Sequence, residues 1–235
     1  MIIIPAAGEG RRFKEAGYSG PKHEIDLVGR PMVDWVVDNV RVLDPHGKVV
    51  VATQGVVGQT KGAVDTVRRA LNGYPPQPDE PLIIANCDQL IAIPEAIRAQ
   101  PIGHGLIFTF KSASPAHSYV TTTKAGRITS IVEKPDVPPS DRAVSGVYYF
   151  ANPAAIATAV KDAHALAQAA EGEEYLSEAI ARMIHQEYSL YAVDVPTAIL
   201  GTPEDFQRFE TAFEIQREMF RTMGAALVAG LGPKE

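Results

Sequence analysis

The run Ile2-Ile3-Ile4, followed at once by Pro5-Ala6-Ala7-Gly8-Glu9-Gly10-Arg11-Arg12, constrains this chain more than any other stretch. Three β-branched residues without alternation suit a strand buried on both faces, so the chain starts inside an α/β sheet. The residues behind it lack bulk. Ala6, Ala7, Gly8 and Gly10 let backbone N–H groups approach a ligand closely, and Arg11, Arg12, Lys14 and Lys22 add cationic donors. Small residues plus cations after a buried strand point to phosphate. Glycines alone serve many turns that never meet a ligand, and two common phosphate loops do not fit: G-x-G-x-x-G needs a third glycine near Phe13, and the P-loop needs G-x-x-x-x-G-K-[ST]. The order here is strand, G-x-G-x-R, a long loop, then Pro21-Lys22.

Beyond Lys22, His23 to Val28 reads as a short extended segment, and Gly29 turns the chain into Pro31 at the start of a helix. Val33, Val36, Val37, Val40 and Leu43 recur at helical spacing and form one apolar face. Val49-Val50-Val51 predicts a second buried strand, a turn-rich segment from Gln54 to Gly62 follows, and a helix runs from about Ala63 to Leu71. Prolines 75, 76, 78 and 81 make a surface loop, after which Leu82-Ile83-Ile84-Ala85 is a third buried strand ending in Asn86-Cys87-Asp88. This βαβα alternation implies a parallel sheet. Ligands collect at the carboxyl ends of such strands. Asp88 therefore fits a Mg²⁺ ligand, or else the N-cap of whatever follows; the phosphate-type loop on a neighbouring strand favours the metal, which one or two carboxylates plus substrate phosphates hold.

The second half changes character. Leu106 to Phe110, Ser118 to Thr123, Arg127 to Glu133 and Val144 to Phe150 read as strands, with Lys124-Ala125-Gly126 as a hairpin turn, so antiparallel additions to the parallel core are expected. Helices follow from Pro153 to about Ala170, from Tyr175 to Gln186 and from Pro203 to about Met223, with a strand from Tyr188 to Val193. Thr202-Pro203-Glu204-Asp205 reads as an N-cap, a Pro at N1 and acidic residues in the first turn. The tail after Gly230 reads as frayed. The whole, 1–235, is expected to be one domain: a mostly parallel half (about 1–105), a half with antiparallel additions (about 106–200) and a C-terminal helix (about 203–223).

Charge and cysteine content narrow the setting. Lys and Arg total 22 against 28 Asp and Glu, a net charge of −6, so neither nucleic acid nor an anionic membrane is an expected partner and the basic first loop is a local feature. One cysteine, Cys87, cannot form an internal disulfide, and no apolar run is long enough to span a membrane, which suits a reducing cytoplasmic setting. The oligomeric state stays open, a homo-oligomer included.

Taken in order, G-x-G-x-R, P-K, N-C-D, E-K-P and G-T-P-E-D resemble the sugar-phosphate nucleotidyltransferases, which make nucleoside-diphosphate sugars and related activated metabolites, over a span from Ile2 to about Phe206. The resemblance implies a Rossmann-like (GT-A-like) α/β fold and NMP transfer from an NTP to a sugar 1-phosphate or related phosphorylated metabolite, with Mg²⁺ as cofactor. It implies that Ala6, Ala7, Gly8, Gly10, Arg11 and Arg12 wrap the triphosphate, that Lys22 contacts phosphate at the reacting centre, and that Gln59, Thr60 and Gly62 read the base. Asp88 corresponds to the metal-binding Asp, Glu133 and Lys134 to the sugar and phosphate contacts of E-K-P, and Gly146 to a glycine packed on the sugar. Glu174 and Ser177 fall in a segment that often touches substrate. The position of a second metal-binding Asp is Ile199 here, with Asp194 as a nearby substitute. The Gly17-Tyr18-Ser19-Gly20 insert and the Ser118-Tyr119-Val120 segment resemble a subgroup associated with surface-polysaccharide genes. The alternatives are a metal-dependent glycosyltransferase that uses Asp88 to hold a sugar nucleotide's metal, and a non-catalytic nucleotide sensor.

Overall fold

Ile2 and Ile4 pack on one side of the central sheet and Ile3 on the other, and all three are wholly buried, which is why their run shows no alternation. The structure, a computed structural model, describes residues 1–94, 97, 103–170 and 174–230, with side chains as far as 219 and at 221. The strands are β1 (Ile2–Ala6), β2 (Asp26–Leu27), β3 (Arg30–Pro31), β4 (Val49–Thr53), β5 (Leu82–Ala85), β6 (Gln89–Ile91), β7 (Gly105–Lys111), β8 (Tyr119–Thr122), β9 (Ile128–Val132), β10 (Arg142–Phe150), β11 (Leu190–Asp194) and β12 (Thr197–Ile199). The helices are α1 (Arg11–Glu15), α2 (Met32–Val40), α3 (Gln54–Val57), α4 (Ala63–Gly73), α5 (Pro153–Ala170), α6 (Leu176–His185) and α7 (Pro203–Gly230).

The main sheet runs β11-β7-β10-β5-β1-β4. β1 is parallel to β4 and β5, and β11 to β7, whereas β10 is antiparallel to both its neighbours; β8 and β9 form an antiparallel hairpin joined to β10 at Ala143 and Tyr119. The mixed, mostly parallel sheet with antiparallel additions is the expected architecture. Helices cover both faces. Val64, Val67 and Leu71 of α4, with Ile156 and Val160 of α5 and Ile180 and Met183 of α6, bury one face; Val33, Val36 and Val40 of α2 bury the other. In α5 the residues Ala155, Ala159, Ala163 and Ala167, spaced by four, are all buried, so this alanine-rich helix lies close against its neighbours.

Several local readings are corrected. Lys22–Glu24 is a 3₁₀ turn, so only Asp26 and Leu27 of the segment expected to be extended pair as a strand. The stretch after Gly10, expected to be loop throughout, begins with the short helix α1. The turn-rich segment from Gln54 contains the single-turn α3, and α7 runs on to Gly230. The tail read as frayed lies outside the described residues. A third apolar cluster explains how the first loop is held: Phe13, Tyr18 and Phe206 meet edge to face with ring centroids 5.3 to 5.8 Å apart, over Leu27 and Met32. These rings anchor the segment between Arg12 and Lys22 to the start of α7.

Candidate functional site

The loop after β1 and the strand end of β5 line a cavity of about 410 Å³ that holds Ala6, Ala7, Gly8, Gly10, Arg11, Arg12 and Lys22, with Thr60, Gly62 and Thr66 opposite. Gly10 is placed by close approach, because a Cβ there would stand 3.0 Å from that of Lys22. Thr66 Oγ1 lies 2.8 Å from Thr60 Oγ1 and donates to the Gly62 carbonyl, so α4 braces the segment expected to read the base. Gln59 is exposed and does not line this cavity.

A second cavity, about 590 Å³, lies against the antiparallel half and is lined by Glu133, Lys134, Gly146, His117 and Tyr175. Arg12, Lys22, Asn86, Asp88 and Gly201 line both cavities. Lys22 Nζ donates to Asp88 Oδ2 and to the Gly201 carbonyl at 3.3 Å, and stands 5.1 Å from the centre of the Phe13 ring. Arg11 and Arg12 make no ion pair among the described residues, so both keep their donors for an anion.

Asp88 is not a helix cap. It sits between β5 and β6, and its carbonyl accepts from Leu200 N at 2.8 Å, which ties it to the β6–β12 strand pair. One carboxylate plus phosphate oxygens is a donor set Mg²⁺ accepts, and Asp88 supplies that carboxylate. Ile199 brings only an aliphatic side chain to the cavity wall. Asp194 is engaged elsewhere: it accepts from Thr109 Oγ1 at 2.6 Å and from the Arg142 guanidinium at 3.0 and 3.1 Å, and it lines neither cavity. It is therefore no substitute for a carboxylate at position 199. Cys87 packs on the apolar core beside the cleft; burial, with the Asp88 charge adding, pushes its thiol up to about 12, so it stays protonated and is a poor nucleophile.

In the second cavity Glu133 accepts from Ser118 Oγ at 2.5 Å and Ser177 Oγ at 2.7 Å, both on one oxygen. Lys134 has φ of +40°, a conformation costing about 1–3 kcal/mol for a residue with a side chain, and its N–H donates to the His117 carbonyl at 3.2 Å. Its Nζ donates to Tyr175 Oη at 3.0 Å and lies 4.2 Å from that ring. His117 is held below the usual imidazole range by burial, against the opposing pull of Asp205 and Glu133, so a neutral ring faces the cavity at neutral pH. Gly146, with φ of +78°, sits beside Asn86 and Gln89. Glu174 is a correction. Its carboxylate is buried against α5, bound by His164 and Gln168, and does not line either cavity.

Asn86, Thr66, His117 and Tyr175 line the cavities without having been singled out in the sequence. Asn86 was within reach as the first residue of N-C-D. Thr66, His117 and Tyr175 lie next to segments that were singled out, but no pattern in the sequence marked these particular side chains as facing a cavity. Thr202, read as a cap, is one: Asp205 N donates to its Oγ1 at 3.2 Å.

The cavity beside the ends of β1 and β5 lies where ligands bind in an open α/β sheet. The chain belongs to the nucleotidyl transferase family, whose model matches residues 56–213; that match starts later than the span from Ile2 suggested by the motifs. The bifunctional protein GlmU of Burkholderia mallei is 27% identical over 161 residues, covering 60% of this chain and 34% of that protein, so the chain matches about a third of the length of this curated relative. Among solved structures, a nucleoside-diphosphate-sugar pyrophosphorylase from Vibrio cholerae RC9 superposes with a TM-score of 0.76 at 18% identity, covering 90% of this chain and 100% of that one. A UDP-glucose pyrophosphorylase from Acinetobacter baumannii gives 0.71 at 16% identity, with 98% of each chain covered. These likenesses establish the Rossmann-like fold.

Proposed function

We propose that the chain transfers a nucleoside monophosphate from an NTP to a sugar 1-phosphate or related phosphorylated metabolite and releases pyrophosphate. The observation that carries this reading is that the two cavities share Arg12, Lys22 and Asp88. In the scheme, an acceptor phosphate oxygen attacks the α-phosphorus. A new P–O bond forms as the bond to the bridging oxygen breaks, and pyrophosphate leaves with that electron pair. The acceptor monoester is mostly dianionic at neutral pH, so no general base is needed. What the reaction asks of the protein is alignment and charge neutralisation. Gly8 and Gly10 give the backbone room beside the triphosphate, Arg11 and Arg12 hold the departing phosphates, Lys22 the α-phosphate and Lys134 the acceptor's phosphate. Thr60 and Gly62 flank the base, Glu133 and Gly146 the acceptor. Mg²⁺ on Asp88 supplies further neutralisation of phosphate charge when bound.

Family membership and the pyrophosphorylase activities of the similar structures support this reading. The proposal extends to a cytoplasmic setting and to a product used in polysaccharide assembly, with neither nucleic acid nor membrane as partner. Among the described residues no helix is long and apolar enough to cross a membrane. The test is pyrophosphate release from ATP, CTP, GTP and UTP, each with a panel of sugar 1-phosphates and other phosphomonoesters, with and without Mg²⁺. One productive pair supports the reading. Sugar transfer from a sugar nucleotide, or NTP binding without turnover across the panel, would sink it.

A further inference from the structure

We infer that Glu174 is a positioning residue that sets both substrate compartments, the nucleotide's through its own backbone and the acceptor's through the residues that follow it. The inference rests on the reading above for the identity of the compartments. The Glu174 side chain is wholly buried, and both its oxygens are engaged by α5: Gln168 Nε2 donates to Oε1 at 2.7 Å, and His164 Nδ1 lies 2.8 Å from Oε2. A buried carboxylate is tolerable only with such partners, so the side chain locks residue 174 to α5.

The backbone of Glu174 faces the other way. It forms a parallel bridge with Gly62, and its carbonyl accepts from Val64 N at 3.2 Å. A Cβ on Gly62 would stand 2.6 Å from that carbonyl oxygen, so the two main chains fit only because position 62 carries no side chain. Gly62 is part of the nucleotide cavity wall. On the acceptor side, Tyr175 Oη accepts from Lys134 Nζ, and Ser177 Oγ donates to Glu133. One anchor thus fixes Gly62 in one compartment and orients Lys134 and Glu133 in the other.

A metal centre is the rival reading, since ligand atoms of Asp65, His164 and Glu174 lie within 4.8 Å of one another. The charges there are already answered. Asp65 accepts from Arg68 Nη2 at 2.6 Å and from Arg69 Nε at 3.0 and 3.1 Å, and an ion would have to displace these guanidinium groups.

The test compares Glu174→Ala, Glu174→Gln and His164→Ala in the full chain. Three readouts are taken: NTP dissociation by calorimetry without acceptor, acceptor KM, and hydrogen exchange at the Val64 amide, with the core Ile83 amide as reference. Glu174→Ala should weaken both NTP and acceptor about tenfold, about 1.4 kcal/mol each, and speed exchange at Val64 but not at Ile83. Glu174→Gln keeps an acceptor oxygen for Gln168 Nε2, and its amide can donate to His164 Nδ1 in the tautomer that carries its proton on Nε2, so it should restore most of all three. His164→Ala removes one anchor and should show the same pattern more weakly, which keeps the test decisive if Glu174→Ala does not fold. A change confined to one substrate, unchanged exchange at Val64, or a Gln variant as impaired as Ala would overturn the inference. If the wild type releases no pyrophosphate, the functional reading fails separately, and NTP binding with Val64 exchange still decides this one.

Discussion

Gly146→Ala tests how tightly the wall of the second cavity is built. Gly146 has φ of +78°, and a Cβ there would stand 1.8 Å from Gln89 Oε1 and 2.4 Å from Asn86 Nδ2. Forcing a side chain into the left-handed region costs about 1–2 kcal/mol. Both clashing atoms end flexible side chains, so they swing away rather than deform the backbone, but their mutual hydrogen bond of 3.4 Å is lost; this adds at most about 1 kcal/mol. The main-chain bond from Asn86 N to the Gly146 carbonyl, 2.9 Å, is not touched directly. The total of about 1–3 kcal/mol corresponds to a fall in Tm of about 2–12 °C for a chain of this size. Asn86 and Gln89 both line the second cavity, proposed to take the acceptor, so acceptor KM should rise as well. Differential scanning calorimetry with steady-state kinetics checks both. A Tm within about 1 °C of wild type together with unchanged acceptor KM would refute the reasoning.

Asp88→Asn should lower kcat by about 10²-fold or more, the size seen when one charge-stabilising group is removed, while Tm moves little; near-wild-type turnover would show that Asp88 only pairs with Lys22. Lys22→Ala should weaken NTP binding more than acceptor binding and Lys134→Ala the reverse, as read by calorimetry with a non-hydrolysable NTP and by rate against acceptor concentration; unchanged acceptor kinetics in Lys134→Ala would remove that assignment. Cys87→Ala should keep most activity, and because its thiol is pushed up to about 12, native Cys87 should react with iodoacetamide at pH 8 far more slowly than a free thiol. Burial raises the carboxyl of Asp65, but its hydrogen bonds from Arg69 and Arg68 outweigh this and hold it below its ordinary 3.8. A depressed folded value means stability that is complete above 3.8 and lost as pH falls through the folded pKa. Asp65→Asn should therefore be less stable at pH 7 and lose less further stability on acidification below pH 4 than wild type, measured as urea midpoints across pH.

Strands β1 and β5 and helices α2 and α4 were legible because their signals are local: unbroken runs of Ile and Leu for strands buried on both faces, and helical spacing of apolar residues for helices buried on one; β4, read from Val49-Val50-Val51 as equally buried, is the edge strand of the sheet, with Val50 and Ala52 buried and Val49 and Val51 only partly so. The loop after β1 was legible for the same reason, since glycines, cations and strand lie within one short stretch. The β6–β12 strand pair was not, because each strand is three residues long and its partner lies more than a hundred residues away. That strand pair decides that Asp88 leads into β6 at the cleft rather than capping a helix. Glu174 shows the other limit. The sequence by itself determined that a buried strand delivers a basic, small-residue loop to the edge of a parallel sheet, and that Glu133, Lys134 and Gly146 belong to an antiparallel half. Only the tertiary structure decided that β10 inserts between β7 and β5, which carries Gly146 and the β8–β9 hairpin to the cavity shared with Lys22. Only it turned the Glu174 carboxylate into α5 while its main chain faced Gly62. Local pattern sets whether a residue is in a strand or a helix, whereas the direction of its side chain depends on which distant elements the sheet order makes its neighbours.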